Sequence, residues 1–250
     1  MRSAFFALAG PLLALAPAGR ADDAADAKAI IEKAIKARGG AAGSGHAAVT
    51  WKEKGKLSGG GFPLPYTADW AFEAPDKYRF VFVGTFGDAK IGLTVVVDGE
   101  KAWEVEGGKV RAVAGPKLEY VRGETYQFWV TSLTPLATDP GFRLATAPGK
   151  DVDKKPTTAV KVTRDQRPAV TLYFDKGTGL LVKREVVVRD ETQKWKEVLD
   201  EAYFSDYKES GGVKHFTALK IVRDGKPLIE ATLSDVKPAE KLDAKLFERP

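Results

Sequence analysis

The chain of 250 residues has no cysteine, only two histidines and, past its first twenty residues, no long apolar run. Without cysteine no disulfide can form, so the fold must rest on burial alone even in an oxidising compartment. The same absence excludes an N-terminal lipid anchor on a cysteine. Histidine is the usual general base near neutral pH, and His46 and His215 are the two present. His46 lies in a glycine-rich stretch and His215 begins a strand after a turn. Neither stands in a His-Glu-x-x-His spacing, and no Gly-x-Ser-x-Gly elbow occurs. Acidic pairs do occur, at Asp98/Glu100, Asp190/Glu191 and Asp200/Glu201, but they fall at expected turns or strand ends, where charged residues are solvated caps. The sequence therefore points away from an enzyme, and nothing in it calls for a cofactor or a metal. A concentrated basic stripe is also missing. The formal charge of +5 comes from lysines and arginines scattered among acids, which argues against nucleic-acid binding.

What is present begins with an address. Arg2, an apolar run from Ala4 to Ala16, Pro17 and small residues up to Ala21 precede Asp22 and Asp23, the pattern of a cleaved secretory signal. Gly10, Pro11 and Pro17 interrupt the run, which falls short of the ~20 apolar residues a membrane anchor needs. Residues 1–21 are thus expected to be a signal peptide, and residues 22–250 a single domain that is periplasmic or secreted after cleavage.

A helix follows the leader. Asp26 is placed to cap it, Ile30, Ile31, Ala34 and Ile35 recur at helical spacing, and Lys33, Lys36 and Arg38 crowd its end before Gly39. The next stretch, "GGAAGSG" (39–45), follows a helix rather than a strand and lacks the Lys-Ser/Thr ending of a phosphate loop, so it reads as a flexible connector.

From residue 47 the chain turns to strands. Five β-rich runs (47–57, 66–74, 77–83, 91–98, 101–107) fill the first half and six (158–164, 168–175, 180–190, 196–209, 213–224, 227–237) the second, all bounded by Pro, Gly and Asp clusters. Asp98-Gly99 and the segments "DKGTG", "SGG" and "DGK" carry tight-turn chemistry. Between the halves, Leu118, Val121, Tyr126, Val130 and Leu133 share one helical face, which predicts a helix over about 118–134 stopped by Pro135. Residues 138–158 predict an irregular connection. The tail "KLDAKLFERP" predicts one last helical turn before Phe247 packs.

Several of these strands are apolar on both faces: Phe80 to Val83, Val95 to Val97, Leu180 to Val182 and Val186 to Val188. A strand with one wet face alternates apolar and polar residues instead. Eleven strands at ~4.8 Å spacing would make a sheet about 50 Å across, whereas a helix about 10 Å wide covers about two of them. Two or three helices cannot dry a flat sheet of that width. The sheet is expected to bend strongly around the helices and to leave an apolar hollow.

The leading helix, "WAFEAPDKYRF", "VVVDGEKAWEV", "TLYFDKGTGLLVKREV", "YFSDYKESGGVKHF" and "ATLSDVKPAEKLDAKLFERP" come in an order and spacing that resemble the LolA/LolB-like outer-membrane lipoprotein-sorting proteins, and more closely the secreted branch of that group. The resemblance covers residues 28–250. It implies an α+β fold, mostly antiparallel β: an incomplete, half-open β-barrel of about eleven strands, with helices plugging the concave face and an apolar cavity inside. It also implies carriage of acyl chains across the periplasm. The carriers have an arginine before the proline of the segment written here "EAPDKY", which helps hold a helical lid; this chain has Ala74 there.

The aromatic residues supply the candidate lining of such a cavity. Trp70 and Phe72 share one face of their strand, and Tyr78, Phe80 and Phe82 share one face of the next. Trp103, Phe128 and Trp129 complete the set. Trp51 and Trp195, in the lysine-rich runs "WKEKGK" and "QKWKE", suit packing on a strand surface or transient contact with a membrane. The function expected is a non-enzymatic binding protein holding a lipid, acyl chain or lipoprotein, with an envelope membrane protein as a further partner. The alternative is an envelope interaction or scaffold module with a filled interior. A hydrolase is a third reading.

Overall fold

The strongest local instruction along the chain is a series of two-residue turns in which both residues take positive φ, as the type I′ hairpin requires. Gly107-Gly108, Gly211-Gly212 and Asp224-Gly225 all do so. These turns fold the strands back into antiparallel neighbours, and the computed structural model describes the result for residues 19–40, 46–58 and 63–250. The expected signal segment lies almost wholly outside the described residues, as do residues 41–45 of the glycine connector.

Helix α1 (Gly19–Arg38) opens the described chain. It begins well before Asp26, which therefore sits inside the helix and does not cap it. A meander follows: β1 (Ala48–Leu57), β2 (Leu64–Glu73), β3 (Lys77–Phe86), β4 (Ala89–Asp98), β5 (Lys101–Glu106) and β6 (Lys109–Ala112). Helix α2 (Gly115–Thr131) then crosses the sheet, and the short α3 (Thr134–Thr138) follows it. Pro135 does not stop the first helix: it occupies the opening turn of the second, where its missing N–H costs nothing. The break falls at Leu133, whose φ is 70°.

The second half contains β7 (Arg143–Ala147), β8 (Asp151–Val152), β9 (Lys155–Thr163), β10 (Val170–Asp175), β11 (Leu181–Asp190) and β12 (Lys196–Ser205). A separate hairpin of β13 (Lys208–Ser210) and β14 (Val213–His215) precedes β15 (Ala218–Arg223) and β16 (Lys226–Ala239). Two of the expected long strands are thus each cut in two, and β6, β7 and β8 are additions. The connection over 138–158 is not irregular, because β7 pairs with β9 along five residues.

The strands join in the order β6-β5-β4-β3-β2-β1-β16-β15-β12-β11-β10-β9-β7, with β8 off this path on β9. The last long strand, β16, pairs with β1 on one side and β15 on the other, and so ties the two halves together. Among the described residues the path ends at β6 and β7 without closing, which makes the fold α+β, mostly antiparallel β, and an incomplete barrel.

The concave face of this sheet is packed by helices and part of the convex face by the tail, while Val187 and Leu199 on the convex side of β11 and β12 stay exposed. On the concave side α1, α2 and α3 pack Ala27, Ile31, Val130 and Leu136 against Val160, Leu172 and Phe174 of β9 and β10. Val121 and Phe128 of α2 meet the other half at Trp51, Phe72 and Tyr78. On the convex side the tail folds back: a 3-10 turn at Ala244–Phe247 buries Phe247 against Ala71, Val96 and Trp103. The apolar run Phe80 to Val83 is only half accounted for in this way, since Val81 and Val83 on the outer face are half-buried and lie beyond the tail cluster. Phe80 and Phe82 face the interior beside Trp70 and Tyr66, and the tail covers the neighbouring Val96 on the outside.

Candidate functional site

Between α2 and the strands β1, β2, β11, β12, β15 and β16 lies a cavity of about 200 Å³. Its apolar wall is set by strand register. Trp51 pairs across strands with Trp70, and Phe72 with Val49, so all four point to one side of the sheet. The indoles stack at 5.3 Å with 8° between their planes, and Phe128 of α2 meets both edge-on at 5.7 and 5.4 Å. Leu219, Ile221, Leu233 and Val236 of β15 and β16 continue the wall.

The opposite wall is charged. Arg184 of β11, Asp200 of β12 and Arg223 of β15 stand on neighbouring strands with their side chains on the concave face. Arg184 donates to Oδ1 of Asp200 at 2.9 Å, while Arg223 donates to Oδ2 at 2.9 and 3.1 Å. Asp200 is 2% exposed. It is not the solvated cap that its acidic neighbour Glu201 suggests, since each oxygen belongs to one arginine. Asp190 is likewise buried, accepting from the backbone and hydroxyl of Thr192. Burial disfavours the charge of Arg184 and lowers its pKa, with Asp200 working against the shift. For Arg223 the attraction of Tyr120 and Asp200 outweighs burial, and its pKa rises.

Two glutamates complete the polar lining. Glu53 sits on β1, 5% exposed, and accepts a short hydrogen bond from the hydroxyl of Tyr66. Burial raises its pKa, and the Tyr66 hydroxyl and the indole N–H groups of Trp51 and Trp70 oppose that rise. Both indole N–H groups are buried and directed at Glu53 without reaching full hydrogen-bond geometry. Glu124 on α2 accepts from Tyr78 at 3.3 Å, and burial raises its pKa too. At the far end, Arg38 of α1 donates to the backbone carbonyls of Ser132 and Thr131 at 2.8 and 3.5 Å. A cation there favours the C-terminus of α2. The helix is thus held by an arginine of α1, while Ala74 packs apolarly beside the aromatic cluster.

No family model matches the sequence, and no curated protein matches it. Known structures do share its shape. A DUF1329 family protein from Desulfovibrio piger superposes with a TM-score of 0.58 at 14% identity, over 89% of this chain and 97% of that one. A LolA superfamily protein from Nitrosomonas europaea gives 0.57 at 12% identity over the same shares. A domain assigned to outer-membrane lipoprotein sorting from Vibrio parahaemolyticus gives 0.56 at 11% identity, over 90% of this chain and 97% of that one. The fold is LolA-like.

In this LolA-like frame the eight candidate residues separate. Trp70, Phe72 and Phe128 line the cavity. Tyr78 and Phe80 share that face but pack behind Trp70, at 6.1 and 4.2 Å. Phe82 stacks on Tyr66 at 5.1 Å, away from the hollow. Trp103 is on the convex face under the tail, because it pairs with Val96 and not with an inward residue. Trp129 is locked into a structural cluster: Phe142 meets it at 4.9 Å and the Arg164 guanidinium covers its ring at 4.7 Å. Trp51, expected on a strand surface, is 9% exposed and lines the cavity. Trp195 lies outside it, 6.4 Å from Tyr120.

Sequence reading missed Glu53, Glu124, Arg184 and Arg223 altogether, and placed Asp200 among solvated caps when it is buried. Strand parity carried the signal for some of them. In "LVKREV" and "VLDEAYF" the charged residues come in adjacent pairs, and two neighbours on a strand cannot both face water on a sheet whose concave side is packed. Lys183 and Glu201 take the outer face, joined at 2.6 Å; Arg184 and Asp200 take the inner one.

His215 also borders the cavity. Burial lowers its pKa to about 4, helped by the charges of Arg38 and His46. These neighbours are basic. No carboxylate hydrogen-bonds to His215 among the described residues.

Proposed function

We propose that this LolA-like protein is a periplasmic, non-enzymatic binding protein that holds a lipid, an acyl chain or the acyl part of a lipoprotein between α2 and the sheet. The observation that carries this is the stacked Trp51–Trp70 pair with Phe72 and Phe128, which gives a concave aromatic wall to a hollow of about 200 Å³. Sites for apolar ligands are concave, aromatic and sparing in polar groups. A place in outer-membrane lipoprotein sorting is the corresponding cellular role, and transient contact with an envelope membrane or membrane protein would be part of it. The Arg38 contact to the end of α2 offers a way to hold the helix over the cargo without an arginine at position 74. The test is to purify the exported protein and examine it by native mass spectrometry and lipid extraction. Co-purifying or added acyl ligands, bound one per chain, are expected; a protein that neither carries nor takes up any acyl ligand overturns the proposal.

A second reading has one observation in its favour. The cavity is smaller than the ~300–1,000 Å³ of common ligand pockets, which suits an interaction module of the envelope with a largely filled interior. The same experiment separates the two, because such a module takes up no acyl chain.

A further inference from the structure

Three carboxylates border the hollow, Glu53, Glu124 and Asp200, and they differ in what neutralises them. Asp200 gives one oxygen to Arg184 and the other to Arg223. The charge of Arg223 also acts on Glu124. Glu53 has no such partner. Its cross-strand partners are Leu233 of β16 and Ala68 of β2, both apolar. Its chain neighbours Lys52 and Lys54 are on the opposite, exposed face, where Lys52 stands 3.8 Å from Asp235. Over the hollow, α2 presents Glu124, Gln127 and Phe128. Of the cations that line the rest of it, Arg184 and Arg223 are tied to Asp200, and Arg38 is engaged by the carbonyls at the end of α2.

Burial raises the pKa of Glu53, and what opposes the rise is hydrogen bonding from Tyr66 and the two indoles, with no opposite charge contributing. Oε1 takes the bond from Tyr66. Oε2 takes none among the described residues, and unlike the indole nitrogens it is not closed off from open space. A carboxylate has room for about four hydrogen bonds, and an ionised one in apolar surroundings is costly until a cation pairs with it. A hydrocarbon brings no cation, and a second carboxylate adds repulsion. An ammonium supplies both the missing charge and a donor.

We propose that Glu53 is the binding site of an ammonium group, held beside Oε2, with the apolar body that carries it lying along Trp51, Trp70 and Phe72. The proposal rests on the apolar-cargo reading above and adds the group that the cargo carries: an amine-bearing amphiphile in place of a plain or acidic chain. A primary ammonium reaches Oε2 with an N–H, a quaternary one with its charge alone.

The test uses four ligands with one eight-carbon chain: octylamine, trimethyloctylammonium, octanoate and octane. Each is titrated at pH 7.5 into the purified exported protein, with binding read by tryptophan fluorescence and checked by native mass spectrometry. Octylamine is expected to bind about tenfold more tightly than octane and octanoate, the scale of one hydrogen bond to a charged group. Tight octylamine with weak trimethyloctylammonium assigns the N–H contact; similar affinities assign the charge. In Glu53→Gln, which removes the charge and keeps an acceptor for Tyr66, octylamine is expected to fall to the level of octane, with octane unchanged. A variant that still prefers octylamine overturns the site, because the ammonium then pairs elsewhere. Octane or octanoate binding as tightly as octylamine to the unaltered protein overturns the ammonium assignment while leaving the apolar-cargo reading intact. If none of the four binds, both fall. Should Glu53→Gln fail to fold, the order of the four ligands on the unaltered protein decides alone.

Discussion

Glu53 shows how one residue escapes a sequence reading. In "TWKEKGK" the run of lysines suggests a solvated edge, yet the period of two puts Trp51, Glu53 and Gly55 on one face and Lys52, Lys54 and Lys56 on the other. The burial of the strand follows that alternation, with Glu53 inside and Lys52 and Lys54 exposed. Parity was legible; what hid the site is that a glutamate facing inward contradicts the usual cost of burying a charge. That cost has a measurable consequence. Burial raises the folded-state pKa of Glu53 above its ordinary 4.5, so the folded protein binds the proton more tightly than the unfolded chain does. Its contribution to stability is full below about pH 4.5 and lost as pH rises through the folded-state value. Glu53→Gln, which keeps an acceptor for Tyr66, is expected to raise Tm at pH 7–8 by about 2–4 °C per kcal/mol recovered. The gain should vanish as pH falls towards 4.5 in thermal melts across that range. His215 has the opposite slope. With its pKa lowered to about 4, the imidazole stays neutral when folded, and its contribution is present above the ordinary 6.5 and lost as pH falls from there to about 4. Histidine NMR signals recorded against pH are expected to show His215 uncharged at pH 6, and His215→Phe should flatten the loss of stability between pH 6.5 and 4.

At the scale of elements, all eleven β-rich runs form strands, because two-sided apolar runs between turn residues leave few other solutions. The errors came where pairing, and not propensity, decides. Strand β7, "RLATA", carries only one large apolar residue and is a strand because β9 offers it a free edge. The run from 213 to 224 is broken where Phe216 turns inward to meet Phe204 at 4.6 Å, a contact between segments that no local pattern encodes. Helix α2 was placed to within a few residues at each end from Leu118, Val121, Tyr126 and Val130, although its buried side also takes in Thr125 and Gln127. The tail was legible too: an aromatic in an otherwise charged, proline-ended stretch needs somewhere to go, and Phe247, 1% exposed, is pinned on the convex face. It replaces the second layer that a flat sheet would need over Ala71 and Val96. Phe247→Ala is expected to lower stability by about 3–5 kcal/mol in urea unfolding, the cost of deleting a buried phenyl ring. A loss under about 1 kcal/mol would mean that the tail is not the cover of that face.

For the whole molecule, the bend of the sheet was derivable because so few helices cannot cover so many strands, and the order of strands from β6 to β7 without closure agrees with that expectation. The degree of filling was not derivable. It depends on side chains from six strands and a helix meeting in space, and the outcome is intermediate: a void of about 200 Å³ between an aromatic wall and an ionic one. A solid interior and a hollow one respond differently to added volume. Ala202 on β12 is 1% exposed, borders the void and stands between Arg184 and Ile221 on the adjoining strands. Replacing its methyl with the isobutyl of leucine in a fully packed core would force neighbours aside at a cost of about 1–3 kcal/mol. Directed into an existing void, the same group gains contacts with Leu219 and Ile221 and leaves stability unchanged or raised. Ala202→Leu is therefore expected to unfold at the same or higher urea concentration as the parent while taking up octanoate at least about tenfold more weakly, since the added carbons occupy the ligand's space. A variant that loses 1–3 kcal/mol would show that the interior has no room to give, and a stable variant that binds as before would place the cargo elsewhere on the molecule.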